Sequence, residues 1–240
     1  MLQFLSDLDT QIFLAINGFH TAAIDQFMWL ISNKLIWVPL YAVTLALLIH
    51  RYGWRAGLMF TAGAIVAVTI ADQTCASLIR PVVERMRPSN TDNPLSALVH
   101  IVNDYHGGRY GFPSCHAANT FAFATFMSRL FRMRGIVFVT LFGWALINCW
   151  SRMYLGVHYP GDLIVGAIIG SASGYATYRM FIILVNRMVR TRMRRDMVKF
   201  RFNFSSLPEI RIESTLILAT VGLGTSVIAL VVSVVTYALS

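Results

Sequence analysis

Residues 57–79 read GLMFTAGAIVAVTIADQTCASLI, an apolar run with one charge, Asp72. About 20 such residues in a helix cross the roughly 30 Å hydrocarbon layer of a bilayer. Outward from this run, residues 35–49, 117–131, 135–150, 162–185 and 215–239 show the same character. The first is short and needs an extra turn at each end. Residues 1–33 are amphipathic, interrupted by Asp7, Asp9, Asn17 and Asp25, and predict one or two interfacial helices. The expected fold is therefore all-α: a polytopic bundle of about six transmembrane helices preceded by an interfacial segment. It forms one membrane domain, with a core over 35–185, a basic loop over 187–213 and an added helix over 215–239.

The composition agrees. Hydrophobic residues make up 56% of the 240 positions and charged residues 13%, against about 25% charged in a soluble domain. The net charge of +9 does not indicate a nucleic-acid partner, because the basic residues fall in bursts between apolar runs rather than across one solvated face. Cys75, Cys115 and Cys149 form neither a disulfide framework nor a metal-ligand spacing, and no metal or cofactor is expected. Cys75 and Cys149 read as small core residues. The first residues lack a basic stretch and a small-residue cleavage site, so no cleavable signal peptide is expected.

Short loops rich in Lys and Arg stay cytoplasmic. Arg51 and Arg55 follow the first run, and Arg129, Arg132 and Arg134 follow the third. The fifth is followed by Arg187, Arg190, Arg192, Arg194, Arg195, Lys199, Arg201 and Arg211. These loops alternate, which puts both termini and the loops over 80–116 and 151–161 on the non-cytoplasmic side. The stretch over 187–201 reads as an anchor for anionic headgroups.

The two outer loops carry polar groups that topology does not require. The first cluster is Arg80-Pro-Val-Val-Glu-Arg-Met-Arg87-Pro88, whose two outer arginines would share a face if the segment were helical. Pro81 argues against continuous helix through Arg80. The second, Phe112-Pro113-Ser114-Cys115-His116, precedes the third run, so its N–H groups would open a helix and suit a phosphate; Ser114 is equally suited to a plain N-cap. The third is Ser151-Arg152, five residues, His158, three residues, Asp162. With Pro160 starting a helix, Asp162 falls beneath His158, where it can fix the imidazole tautomer and leave the other nitrogen as a nucleophile.

In order and spacing the three clusters resemble the signature of the type 2 phosphatidic acid phosphatases: Lys, six residues, Arg-Pro; then Pro-Ser-Gly-His; then Ser-Arg, five residues, His, three residues, Asp. The resemblance covers residues 35–185. It departs in two places: Arg80 stands for Lys, keeping the charge with a different reach, and Cys115 stands for Gly, adding a side chain at the phosphate site.

The resemblance implies a metal-independent lipid phosphatase. His158 would attack phosphorus and form a phosphohistidine, Asp162 would orient it, and His116 would protonate the leaving oxygen and then activate water. Arg80, Arg87, Arg152, Ser114 and the Cys115 N–H would hold the phosphate. Phosphoryl transfer depends chiefly on positioning and charge neutralisation, which three guanidiniums can supply. The expected partner is a phosphorylated lipid of a bacterial inner membrane: undecaprenyl diphosphate, phosphatidylglycerol phosphate or lipid A. The polar loop over 89–111 is long enough to read a headgroup. Transfer of the phosphate to a second lipid remains open at this point. A transporter, which should show polar groups at mid-membrane, has only Asp72 in its favour. A vanadate-binding haloperoxidase uses a similar constellation, but on a soluble fold.

Overall fold

The computed structural model describes residues 2–132, 135–195 and 212–239. The chain opens with α1 (Leu2–Asn17) and α2 (Ala22–Ser32), then a 3₁₀ turn over Lys34–Trp37 leads into α3 (Val38–Tyr52). Next come α4 (Trp54–Gln73), a π-helical turn (Thr74–Ile79) and the short α5 (Arg80–Val83). Beyond the outer loop lie α6 (Cys115–Leu130), α7 (Gly135–Tyr154), α8 (Pro160–Arg195) and α9 (Ile212–Leu239). No strand forms among the described residues beyond one isolated bridge, Met86 to Tyr110.

Among the described residues, four stretches are long and apolar enough to cross a membrane: Lys34–Tyr52, Trp54–Val83, Gly135–Tyr154 and Pro160–Leu184. Their outward faces present Ile65, Leu78, Val139, Leu146, Ile164 and Ile168 without cover, an apolar area a water-soluble surface would not carry. The protein is integral to the membrane. The third apolar run becomes α6, with 16 residues. At 1.5 Å per residue that is about 24 Å, short of the hydrocarbon thickness.

Close backbone approach fixes the centre of the bundle. Gly166, Gly170 and Gly174 recur every fourth residue on α8, and a Cβ at Gly170 would stand 2.1 Å from the Ala118 carbonyl oxygen. Small residues at this spacing let two membrane helices pack backbone to backbone. Beside this seam, Trp37, Tyr41, Phe123 and Trp144 pack edge to face between α3, α6 and α7, while α9 packs on α2, α3 and α7.

Two expectations are corrected. The helix does continue through Arg80 despite Pro81, because the π turn widens the preceding coil: the Arg80 N–H bonds the Cys75 carbonyl, five residues back. That wider turn gives the proline ring room against the carbonyls behind it. Helix ends only at Glu84, whose φ of 49° is left-handed, so Arg80 and Arg87 share no helical face. Second, the stretch expected as loop from 187 is helical to Arg195, consistent with the good helix propensity of arginine and the lack of a breaker. Lys199, Arg201 and Arg211 lie outside the described residues.

Candidate active site

One end of the bundle gathers α1, α2, the segment over 84–114 and the turn over 155–159. Asn17, 1% exposed, ties α1 to the outer segment and to the end of α7. Its amide donates to the carbonyls of His100 and Tyr154 at 2.9 and 2.8 Å, and its Oδ1 accepts from the His100 N–H at 2.8 Å. Nearby, Asp25 accepts from the Tyr154 hydroxyl and pairs with His100. The opposite end carries Arg51 and Arg129 and is closed by Tyr52 donating to the Leu130 carbonyl.

His158 lies in the tight turn between α7 and α8, and Asp162 in the first turn of α8, both with no more than 1% exposure. His158 Nδ1 is 3.3 Å from Asp162 Oδ2, which also accepts the Tyr159 N–H at 3.1 Å. A carboxylate held there keeps the proton on Nδ1 and leaves Nε2 as the lone-pair nitrogen. Nε2 faces Arg87 Nη1 at 2.8 Å, and that nitrogen also donates to the Val157 carbonyl. Burial, then the charges of Arg87, Arg152 and Arg80, push His158 well below the ordinary imidazole range. It is therefore neutral at physiological pH.

The three clusters converge on this point. Arg80 Nη2 donates to the Pro113 carbonyl and lies 2.9 Å from Cys115 Sγ. Arg87 is carried by the segment that pairs with residues 109–111 through Arg87 N–H to Arg109 O and Gly111 N–H to Arg85 O. Arg152, at the end of α7, donates to Ser32 Oγ and to the Tyr105 hydroxyl. Ser114 caps α6, accepting from the Ala117 N–H at 3.4 Å. His116, in the first turn of α6, lines the cavity that opens below the cluster. The Cys115 sulfur is thus directed to Arg80.

Among the described residues no carboxylate pairs with Arg80, Arg87 or Arg152, although Arg85 has two. Moreover, the Nε of each of these three guanidiniums is buried with no hydrogen-bond partner. Burial and its two neighbouring arginines lower Arg87 to about 10, so it stays charged at neutral pH. Three clustered cations, Arg87 and Arg152 buried and Arg80 half-buried, with unused donors form a site suited to an anion. Gly111 closes one wall: a Cβ there would stand 3.1 Å from Arg87 Cγ and from Asp162 Oδ2.

Two site residues have no sequence signal of their own. Arg85, inside the first cluster, bonds Asp162 Oδ1 through Nη1 at 2.9 Å and Asp9 Oδ2 through Nη2 at 2.6 Å, and lies 3.9 Å over the Tyr159 ring. Asp9, on α1, also accepts the Gly161 N–H at 2.7 Å. The interfacial segment, which carries no motif, thus reaches the His158–Asp162 pair through one intermediate.

A family described as the PAP2 superfamily matches residues 58–185. The lipid A 4'-phosphatase of Bacteroides thetaiotaomicron is 49% identical over 74% of this chain and 79% of its own length. That of Porphyromonas gingivalis is 31% identical over 75% and 76%. Among solved structures, Aquifex aeolicus LpxE superimposes with a TM-score of 0.54 at 24% identity, over 72% of this chain and 95% of that one.

Proposed function

The chain belongs to the PAP2 superfamily and is a membrane-embedded lipid phosphatase, and from this premise we propose that it hydrolyses the 4'-phosphate of lipid A through a phosphohistidine on His158. The two lipid A phosphatases above support the substrate. The observation that carries the chemistry is the cluster of Arg80, Arg87 and Arg152, unpaired and with idle Nε donors, around the neutral Nε2 of His158. In this reading the incoming phosphate draws the three guanidiniums onto its oxygens, joined by Ser114 and the Cys115 N–H. Arg87 thereby leaves the His158 lone pair, which attacks phosphorus in line with the departing sugar oxygen. His116 takes up a proton once the phosphate dianion offsets the charge of the neighbouring arginines, and as the N–P bond forms and the P–O bond breaks it gives that proton to the leaving oxygen. His116 then takes a proton from water, whose oxygen attacks phosphorus, breaks the N–P bond and releases inorganic phosphate. Asp162 holds the Nδ1 proton throughout. Guanidiniums do the neutralising that a metal would otherwise do, so the reaction is metal-independent. The site faces the periplasm, because the basic loops mark the opposite end as cytoplasmic.

The test is phosphate release from lipid A by the detergent-solubilised protein in EDTA, beside His158→Ala. Full activity in EDTA, a fall of about a thousandfold or more in the variant, and phosphohistidine trapped by acid-free quenching are expected. Activity lost to EDTA and restored by a metal, or retained by His158→Ala, would overturn the mechanism. Phosphate appearing on an added acceptor lipid instead of in solution would make the protein a transferase.

A further inference from the structure

Below the arginine cluster a cavity of about 470 Å³ runs between α3, α4, α6 and α7, within the size range of small-molecule sites. Ser32, Lys34 and His116 stand at one end, and Leu48, Thr61 and Met127 at the other. Its axis follows helices that cross the membrane, and its upper end is continuous with the phosphate site through His116. That continuity and the apolar wall make an alkyl chain of the substrate its occupant.

The wall is not uniformly apolar. Four of its polar side chains are satisfied within their own helix: Thr44 bonds the Leu40 carbonyl, Thr61 that of Gly57, Thr120 that of His116, and the Asn148 amide that of Trp144. Two others carry a fully buried atom without a partner. The indole N–H of Trp144, a residue 5% exposed, has no acceptor, and Asn119 Oδ1 has no donor. The Asn119 amide cannot simply turn over, because its Nδ2 donates to Asp72 Oδ1 at 2.8 Å. The cavity wall therefore offers one fully buried unused donor and one fully buried unused acceptor, and a buried polar atom normally has a partner.

We propose that this cavity is a subsite for a hydroxylated alkyl chain of the lipid substrate, the hydroxyl accepting from Trp144 Nε1 and donating to Asn119 Oδ1. A hydroxyl is the smallest group supplying both functions. Asn119 follows His116 by three residues, about 4.5 Å along α6, so the hydroxyl sits on the chain carbons closest to the headgroup. The inference rests on the lipid-phosphatase reading. It also adds a selectivity, since a site built to bond a hydroxyl discriminates against a chain lacking one.

The experiment uses two synthetic phosphoglycolipids, identical except that one carries a β-hydroxyacyl chain and the other the plain acyl chain. Their kcat/KM values are compared for the wild type, Trp144→Phe, which keeps the ring and removes the N–H, and Asn119→Leu. A wild-type preference of roughly tenfold or more for the hydroxylated lipid, falling towards unity in each variant, is expected. Equal use of both lipids by the wild type, or a preference unchanged in both variants, would overturn the subsite; water would then serve the two atoms. Thermal shift by the dephosphorylated pair reads the same preference without catalysis. Failure of phosphate release with a preserved binding preference would sink the phosphatase reading alone, and equal shifts would sink the subsite alone.

Discussion

At the scale of single residues, the chemistry turns on how His158 is held. The His158–Asp162 spacing and Pro160 made this pair legible, because both lie within one helical turn and local rules govern it. Asp9 and Arg85 were not legible: they are separated by 76 positions, and no local pattern couples residues so far apart. Because Arg85 acts only through Asp162, Arg85→Met should lower kcat about tenfold or more with KM little changed, and Arg85→Lys should restore part of the loss. Asp162→Asn, which disturbs the tautomer, should cost about a hundredfold or more. Steady-state kinetics over a pH series separates these from misfolding. The acid limb of kcat/KM reports free-enzyme groups, so for wild type the limb due to His158 should lie well below pH 6.5. The same shift has a sign for stability. Below the ordinary imidazole range the unfolded chain takes up a proton that folded His158 refuses, so the protein loses stability as pH falls. A stability curve flat from pH 7 to 5 would contradict this assignment.

At the scale of elements, four of the six apolar runs located candidate spanning helices within a few residues, since hydropathy is a long, redundant signal, while the runs over 117–131 and 215–239 became helices outside that set. The π turn before Arg80 was not legible. Pro81 announces a conflict with regular helix but not its resolution, which here is a wider turn rather than a break. The α6–α8 seam depends on the small-residue repeat Gly166, Gly170, Gly174, a pattern hidden inside an otherwise uniform hydrophobic run. Since α6 carries Ser114, Cys115 and His116 while α8 carries Asp162, the seam sets the distance between the two halves of the site. Gly170→Leu should force these helices apart and destabilise the protein by about 3 kcal/mol or more. Gly143→Leu, where an added Cβ meets nothing within 4 Å, should be nearly neutral. Thermal unfolding in detergent compares the two.

At the scale of the whole molecule, the site is a concentration of like charge at one end of an apolar bundle. Arg80, Arg87 and Arg152 repel one another there, and the lowering of Arg87 to about 10 expresses its burial first and that repulsion second. An anion that fills the site relieves it, so inorganic phosphate should raise Tm, and Arg152→Met should weaken that response. At a hundred times its dissociation constant the ligand adds about 2.7 kcal/mol. No phosphate-dependent shift would mean that the guanidiniums are satisfied in another way.

The family match begins at residue 58, yet Asp9, Asn17, Asp25 and Ser32 reach the site from ahead of it. Helix α1 thus touches the site from outside the phosphate pocket, through the Asp9–Arg85 contact. A ligand wedged between α1 and that guanidinium would silence the enzyme as a non-competitive inhibitor, leaving the arginine cluster free to bind the substrate it could no longer turn over.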